Sequence, residues 1–407
     1  MTTGSSYPLV WLLLVFAWIT NYVIRLGFSA VLPPMMDELH LSYTRAGVLA
    51  TGFFWAYTII QIPAGVLGDR FGRRRILLLG LLAGAAASVV TGFAGTFAAL
   101  LGARLLTGAS QGCLFSNDRA IIAAVTPADK IALGQAVSFS GPGLGTTLGL
   151  LLGGVLADLM PWRQVFFVFA VPPVVAALLI VRFVPDPPRP LGRGAFGARL
   201  RHVVTQPDLW VLGLAGAAAM YAQYVLLTWT PLLFMEVGVR EVSRAGLYAS
   251  LLGLAAVGGL LLGGWAGDRA RRQGFGHKVV LAAGLVGVGC AMLTVGLVLG
   301  RSRSAPALAI GLLAASCLVW SVWGPSFALL GEVFSGEDLS TAFGLYNTLV
   351  VFGAVLGPFL TGWARDWSGS FTVGIHLSAA VATAGAGIAL LIRPAFRLAP
   401  PGSSPAR

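Results

Sequence analysis

Apolar residues in this chain gather in long blocks, and polar residues collect in the short gaps between them. Blocks of about 20 apolar residues, the length of helix that crosses the hydrocarbon of a bilayer, recur at 8–32, 44–67, 76–94, 97–118, 132–157, 163–184, 208–235, 246–266, 279–299, 305–331, 340–364 and 371–392. In hydrocarbon, the backbone must satisfy its own hydrogen bonds, so each block predicts a helix. The pattern predicts an all-α integral membrane protein of twelve transmembrane helices. The first block has no basic residue before it and exceeds a signal-peptide core, so it is expected to be retained.

The pattern also repeats once. GVLGDRFGRRR (Gly65 to Arg75) follows the second block and GWAGDRARR (Gly264 to Arg272) follows the eighth, with Asp69 and Asp268 199 residues apart. Between the copies, the Pro-, Gly- and Arg-rich stretch from Val181 to Val203 reads as a linker. The expected organisation is a six-helix bundle over 1–184, a cytoplasmic linker over 185–207, a second six-helix bundle over 208–393 and a cytoplasmic tail over 394–407. Internally repeated halves with a binding site between them near the bilayer midplane form an established transporter plan. Gly141, Gly145, Gly149 and Gly153 recur every four residues in the fifth block, and Gly258, Gly259, Gly263 and Gly264 cluster in the eighth. Such faces bring helices into backbone contact. Two readings stay open for them: surfaces that slide between the halves, or static packing.

Composition narrows the class. With 407 residues, 57% hydrophobic and 10% charged, and a mean hydropathy of +0.84, the chain is too apolar for a soluble globule. Its net charge of +12 would suit nucleic acid only as a surface stripe. With both termini in the cytoplasm, 18 of the 27 Lys and Arg fall in cytoplasmic loops and tails, 7 on the opposite side and 2 in the spans. That is the positive-inside pattern, so the partner is the lipid bilayer and not nucleic acid. Cys113, Cys290 and Cys317 lie in apolar blocks without metal spacing, so neither disulfide nor metal is expected. Two lysines beside 25 arginines suggest a GC-rich genome and a bacterial inner membrane. No cofactor is expected, and no nucleophile–base pair or phosphate loop points to an enzyme. A monomer is expected.

Two arginines carry the chemistry. Arg25 and Arg104 each lie inside an apolar block, and no Asp or Glu lies in the interior of any block. A cation in hydrocarbon costs about 2.5–3.5 kcal/mol on insertion scales and is normally paired. The absence of an intramembrane carboxylate suggests that the partner is an anionic ligand. The structural alternative is that each snorkels to the interface or pairs with Asp37 or Glu38.

GVLGDRFGRRR resembles the signature loop of the major facilitator superfamily at Gly65, Asp69, Arg70, Gly72, Arg73 and Arg74, with a weaker second copy at Asp268 and Arg269. The resemblance implies that these residues form a cytoplasmic latch between the halves, with Asp118 expected to pair with Arg70 or Arg73. Four segments, NYVIRLGFSAVLPPM from Asn21, YTIIQIPAGVLGDR from Tyr57, RLLTGASQGCLFSNDR from Arg104 and AFGLYNTLVVFGAVLGPFLTGWARDWSGSF from Ala342, are similar to the anion:cation symporter family. MYAQYVLLTWTPLLF, from Met220, adds that family's pattern of tyrosines before Trp229 and Pro231.

That likeness implies that Arg25 and Arg104 hold a substrate carboxylate, a role suited to the planar guanidinium fork. Tyr57, Gln61 and Asn347 match cavity positions, while Tyr221 and Tyr224 offer hydroxyls from the second half. Asn117, an amide in hydrocarbon, needs a partner and is a further candidate. The chain departs from its proton-coupled relatives in three places. Ile24 and Gln111 stand where those keep an Asp and a Glu, and Phe327 stands where many have a cavity Trp. A polyol acid is thus less favoured than a smaller or more aromatic carboxylate. Asp118, Glu332 and His376 remain as groups that could take a proton, and a proton or other coupling ion stays open as a partner. The expected function is a secondary active or facilitative transporter of a small organic anion. The alternatives are a drug or metabolite exporter of the same fold and a substrate-sensing receptor that does not translocate.

Overall fold

The computed structural model describes residues 7–127, 130–186, 196–302, 304–334 and 336–393, so the expected tail over 394–407 and part of the linker lie outside the described residues. Among the described residues all regular structure is helical. The first half contains α1 (Tyr7–Ala30), α2 (Leu32–Leu39), α3 (Tyr43–Phe71), α4 (Arg73–Phe93), α5 (Phe97–Val125), α6 (Ile131–Leu159) and α7 (Trp162–Phe183). A short α8 (Phe196–Val204) follows, within the expected linker. The second half contains α9 (Pro207–Glu236), α10 (Val242–Arg272), α11 (His277–Leu297), α12 (Ala305–Ser321), α13 (Trp323–Val333), α14 (Gly336–Ser368) and α15 (Phe371–Leu390), with a π-helical turn at Val298–Ser302.

Among the described residues, ten helical segments are long and apolar enough to cross a membrane, and α3, bent by 45° around Pro63, makes eleven if it is one span. Proline removes a backbone donor and crowds the preceding turn, which accounts for the bend. The remaining predicted block is α5, whose apolar content is diluted by Arg104, Asp118 and Arg119. Arg104 and Asp118 are nevertheless buried, Arg104 against Leu49 of α3 and Asp118 against Trp18 of α1 and Ser138 of α6. The predicted tenth block breaks at Val322 into α12 and α13, where Gly324 and Pro325 interrupt the helix.

The two halves meet along two seams, α3 against α14 and α6 against α10. Both seams are tight at the end of the molecule away from Tyr7. There, a Cβ on Gly154 would lie 2.9 Å from the Val242 carbonyl oxygen, and one on Gly47 would lie 2.7 Å from that of Pro358. At the same end each half caps a helix of the other. The Asp366 carboxylate at the end of α14 accepts from the Tyr43 and Thr44 N–H groups, at 3.0 and 2.7 Å, and from Thr44 Oγ1 at 2.5 Å. In the other direction, Asp158 near the end of α6 accepts from the Ser243 N–H at 2.9 Å. These N–H groups belong to first helical turns, which have no intrahelical acceptor and carry the positive end of the helix dipole.

The glycine stripe of α6 does not form the seam. Gly141, Gly145 and Gly153 face α1 in the same half, where added Cβ atoms would approach the carbonyls of Val15, Ile19 and Gly27 at 2.8, 2.8 and 3.0 Å. Gly149 likewise faces Tyr22 and Val23 of α1. Gly259 and Gly263 of α10 face Cys317 and Ser321 of α12. These stripes therefore follow the static reading, and the seam is made instead by Gly154 with Gly246 and by Thr147 with Gly253. A period of four puts residues on one face, but it does not say which neighbour that face meets.

Candidate functional site

Between the halves lies a cavity of about 820 Å³, including its open mouth. From α1, Trp18, Tyr22 and Arg25 reach it at the spacing of one helical face. Phe54 and Tyr57 of α3 complete the wall on the first half, with Phe115 of α5 and Pro142 of α6. The second half supplies Gln223 and Tyr224 of α9, Trp320 of α12, Trp323 and Phe327 of α13, and Tyr346 and Asn347 of α14. The break between α12 and α13 separates Trp320 from the Trp323–Phe327 pair, whose rings stack at 6.0 Å.

Arg25 is 7% exposed and donates through Nη2 to the Tyr224 hydroxyl of the opposite half. Its guanidinium sits among four rings, with centroids 4.3 Å away for Phe53, 4.7 Å for Phe54, 5.0 Å for Tyr22 and 5.1 Å for Tyr224. Cation–π contacts are each worth about 0.5–2 kcal/mol as water is excluded. They repay part of the burial cost but carry no counter-charge. Arg104, 4% exposed, lies behind this wall: its Nε donates to the Leu49 carbonyl at 3.2 Å, and its guanidinium covers Phe28 at 4.2 Å and Phe53 at 5.5 Å. Among the described residues no carboxylate pairs with either arginine. Glu38 instead holds Arg163, with Trp162 Nε1 donating to it at 2.6 Å. The Arg163 hydrogen bond keeps the Glu38 carboxyl below its usual pKa.

Of the residues singled out in the sequence, Arg25, Tyr57, Tyr224, Phe327 and Asn347 line this cavity. Gln61 joins them through its Oε1, which accepts from Asn347 Nδ2 at 3.2 Å across the seam. The others are placed elsewhere. Gln111 donates to the Asn21 carbonyl of α1 at 2.8 Å, and Asn117 donates to the Ala64 and Cys113 carbonyls at 3.3 and 2.9 Å, so both amides tie helix backbones together. Tyr221, one residue position off the cavity face of α9, is packed in the core.

At the other end, Asp69 bonds Arg73 at 2.9 Å within its own loop. Gly72 joins α3 to α4 at φ 107°, a region open to glycine, and the Arg74 N–H donates to Asp186 at 3.2 Å. Arg70 lies over its neighbour Phe71, Gly65 is within α3, and Asp268 and Arg269 are exposed at the end of α10. Asp118 does not reach Arg70 or Arg73. It accepts from Trp18 Nε1 at 3.0 Å and from Ser138 Oγ at 3.0 Å, and it pairs with Arg119 at 3.1 Å. The inward side of α5 thus turns it toward α1 and α6 rather than toward the loop. Glu332 bonds His277 at 2.7 Å, and His376 is packed against Gly296 of α11, so neither lines the cavity.

Sequence reasoning missed Trp18, Tyr22, Gln223 and Tyr346. Gln223 carried the same signal as Asn117, an amide in an apolar block, and Trp18 and Tyr22 share a helical face with Arg25.

Residues 10–275 match the family model described as Major Facilitator Superfamily. The chain is 25% identical to the hexuronate transporter of Bacillus subtilis (strain 168), over 94% of this chain and 93% of that protein. It is 24% identical to the probable sulfoacetate transporter SauU of Cupriavidus necator, over 92% of this chain and 90% of that protein. Among solved structures, a bacterial homolog to the human lysosomal transporter Spinster, in an inward-facing and occupied conformation, superposes with a TM-score of 0.84 at 19% identity, covering 96% of this chain and 97% of that one. These relatives are transporters, not enzymes.

Proposed function

We propose that this chain, which belongs to the Major Facilitator Superfamily, carries a small organic anion by alternating access, with Arg25 as the principal anchor. The observation that carries this reading is the cavity wall, where the described residues offer one guanidinium, several hydroxyl and amide donors, and no carboxylate. In a ring-lined space, where charges interact more strongly than in water, an anion supplies the counter-charge that the rings cannot. The hexuronate and sulfoacetate relatives point to the same class. The ring-rich wall favours a carboxylate on an apolar or aromatic body, and Phe327, which carries no hydrogen-bonding group, lines it where many relatives keep a Trp. Arg104 adds a second positive charge from behind Phe53.

In this reading twelve spans, α5 included, form two six-helix halves over 1–184 and 208–393, joined by a linker over 185–207, with both termini cytoplasmic. The protein works as a monomer in a bacterial inner membrane. The Gly65–Arg73 loop, with Asp268 and Arg269 as its counterpart, latches the cytoplasmic end in the opposite state. With Ile24 and Gln111 in place of acids, the anion gradient or the membrane potential drives flux.

Thermal shift of the purified protein with glucuronate, sulfoacetate and benzoate tests the anchor, since a ligand at 100 times its Kd adds about 2.7 kcal/mol of stability. Arg25→Ala is expected to abolish the shift and vesicle uptake, and Arg25→Lys to restore little, because lysine lacks the fork. Near-normal uptake by Arg25→Ala and Arg104→Ala refutes the reading. The ring-lined wall also suits an exporter of apolar compounds, which would tolerate loss of Arg25. A receptor would bind without uptake.

A further inference from the structure

Gln223 stands beside Tyr224 on the cavity face of α9, only 6% exposed. Trp323 Nε1 of α13 donates to its Oε1 at 3.0 Å. An indole N–H can only donate, so this bond fixes the amide: the carbonyl points at Trp323, and the NH₂ is left for the cavity. The indole is itself held by its stack on Phe327. Next to it, the Tyr224 hydroxyl accepts from Arg25 and keeps its own hydrogen to donate. The Tyr224 hydroxyl thus stands against the guanidinium of the first half, and the Gln223 amide, one residue away on the same helix, lines the same cavity.

We propose that Gln223, oriented by Trp323, is a specificity-determining contact that binds the second oxygen of a carboxylate whose first oxygen rests on Arg25. This rests on the reading of the cavity as an anion site and adds to it the group that reads the head from the other half. A fixed NH₂ donates to a planar oxyanion and opposes an ammonium head, which would meet donors with donors. It also makes the bound anion a bridge between the halves. Trp323 acts as a positioning residue.

Calorimetric titration of the full-length purified protein with benzoate, with glucuronate and with neutral benzamide tests this. A hydrogen bond to a charged group corresponds to about 10- to 100-fold in affinity. Gln223→Ala is expected to weaken carboxylate binding by that factor and to leave benzamide within about threefold. Gln223→Glu, isosteric but with acceptors facing the carboxylate, is expected to lose carboxylate binding altogether. Trp323→Phe keeps a ring and frees the amide, so it should weaken the carboxylate less than Gln223→Ala does. Adding it to Gln223→Ala should cost nothing further, a dependence that a merely structural tryptophan would not produce. If Gln223→Ala does not fold, Gln223→Glu and Trp323→Phe carry the same test. Wild-type carboxylate affinity in the Gln223 variants overturns the inference, and if Arg25→Ala meanwhile abolishes binding, the anion reading stands without it. Carboxylate binding that survives Arg25→Ala, or that is missing from the unmodified protein, overturns the anion reading and this inference together.

Discussion

Removing the Asp366 carboxylate should open the seam at the end of the molecule away from Tyr7. In Asp366→Ala, the Tyr43 and Thr44 N–H groups at the start of α3 lose the acceptor that reaches them from the other half. Loss of a capping side chain costs about 0.5–2 kcal/mol, and the charge at a helix N-terminus contributes about 0.3–1 kcal/mol of interaction at exposed sites. Asp366 is exposed, so about 1 kcal/mol is the working figure. The bond exists only while the seam is closed, so the whole amount acts on the equilibrium between closed and open, shifting it about fivefold. Asp366→Asn keeps an acceptor and loses the charge, so it should shift it by about twofold. Asp158→Ala removes the Ser243 cap on the other seam, and the double variant should combine both shifts, because both caps bias one equilibrium. Spin labels on the starts of α3 and α10 and the ends of α14 and α6, read by pulsed dipolar spectroscopy in nanodiscs, give the populations. Distance distributions unchanged in the double variant would falsify the role given to the caps.

Asp69→Asn should loosen the Gly65–Arg73 loop by about 0.3–2 kcal/mol and favour the state open at the end bearing Tyr7, read as faster thiol labelling there; unchanged labelling counts against a latch. An inward proton gradient imposed on vesicles with equal anion on both sides and no membrane potential should drive no accumulation. Accumulation would redirect attention to Asp118, Glu332 and His376. The Glu38 carboxylate lies below its ordinary value of 4.5, so its contact with Arg163 and Trp162 contributes fully above that value and is lost as pH falls through the folded pKa. Trp162 emission should therefore change only below about pH 4.5; a transition near pH 6 would contradict the assignment.

What the sequence determined by itself is the class of environment and the unusual charges in it. Long apolar blocks leave a helix as the economical way to satisfy backbone groups, and an arginine inside such a block announces a site because its burial is costly. The superfamily loop was legible for the same reason, since Asp69 and Gly72 answer local needs of a tight turn and a helix start. Tertiary structure decided which faces meet. Arg25 and Arg104 look alike in the sequence, yet one lines the cavity and the other turns to the Leu49 carbonyl behind Phe53. Gln111, Asn117 and Gln223 are all amides in apolar blocks, and only the helices around each decide whether its partner is backbone, as for the first two, or an indole at the cavity wall. The glycine stripe of α6 and the caps from Asp158 and Asp366 make the same point. A residue's helical face follows from its own neighbours in the chain, but what that face touches depends on helices that can lie more than 300 positions away, as between Tyr43 and Asp366, whose separation is 323.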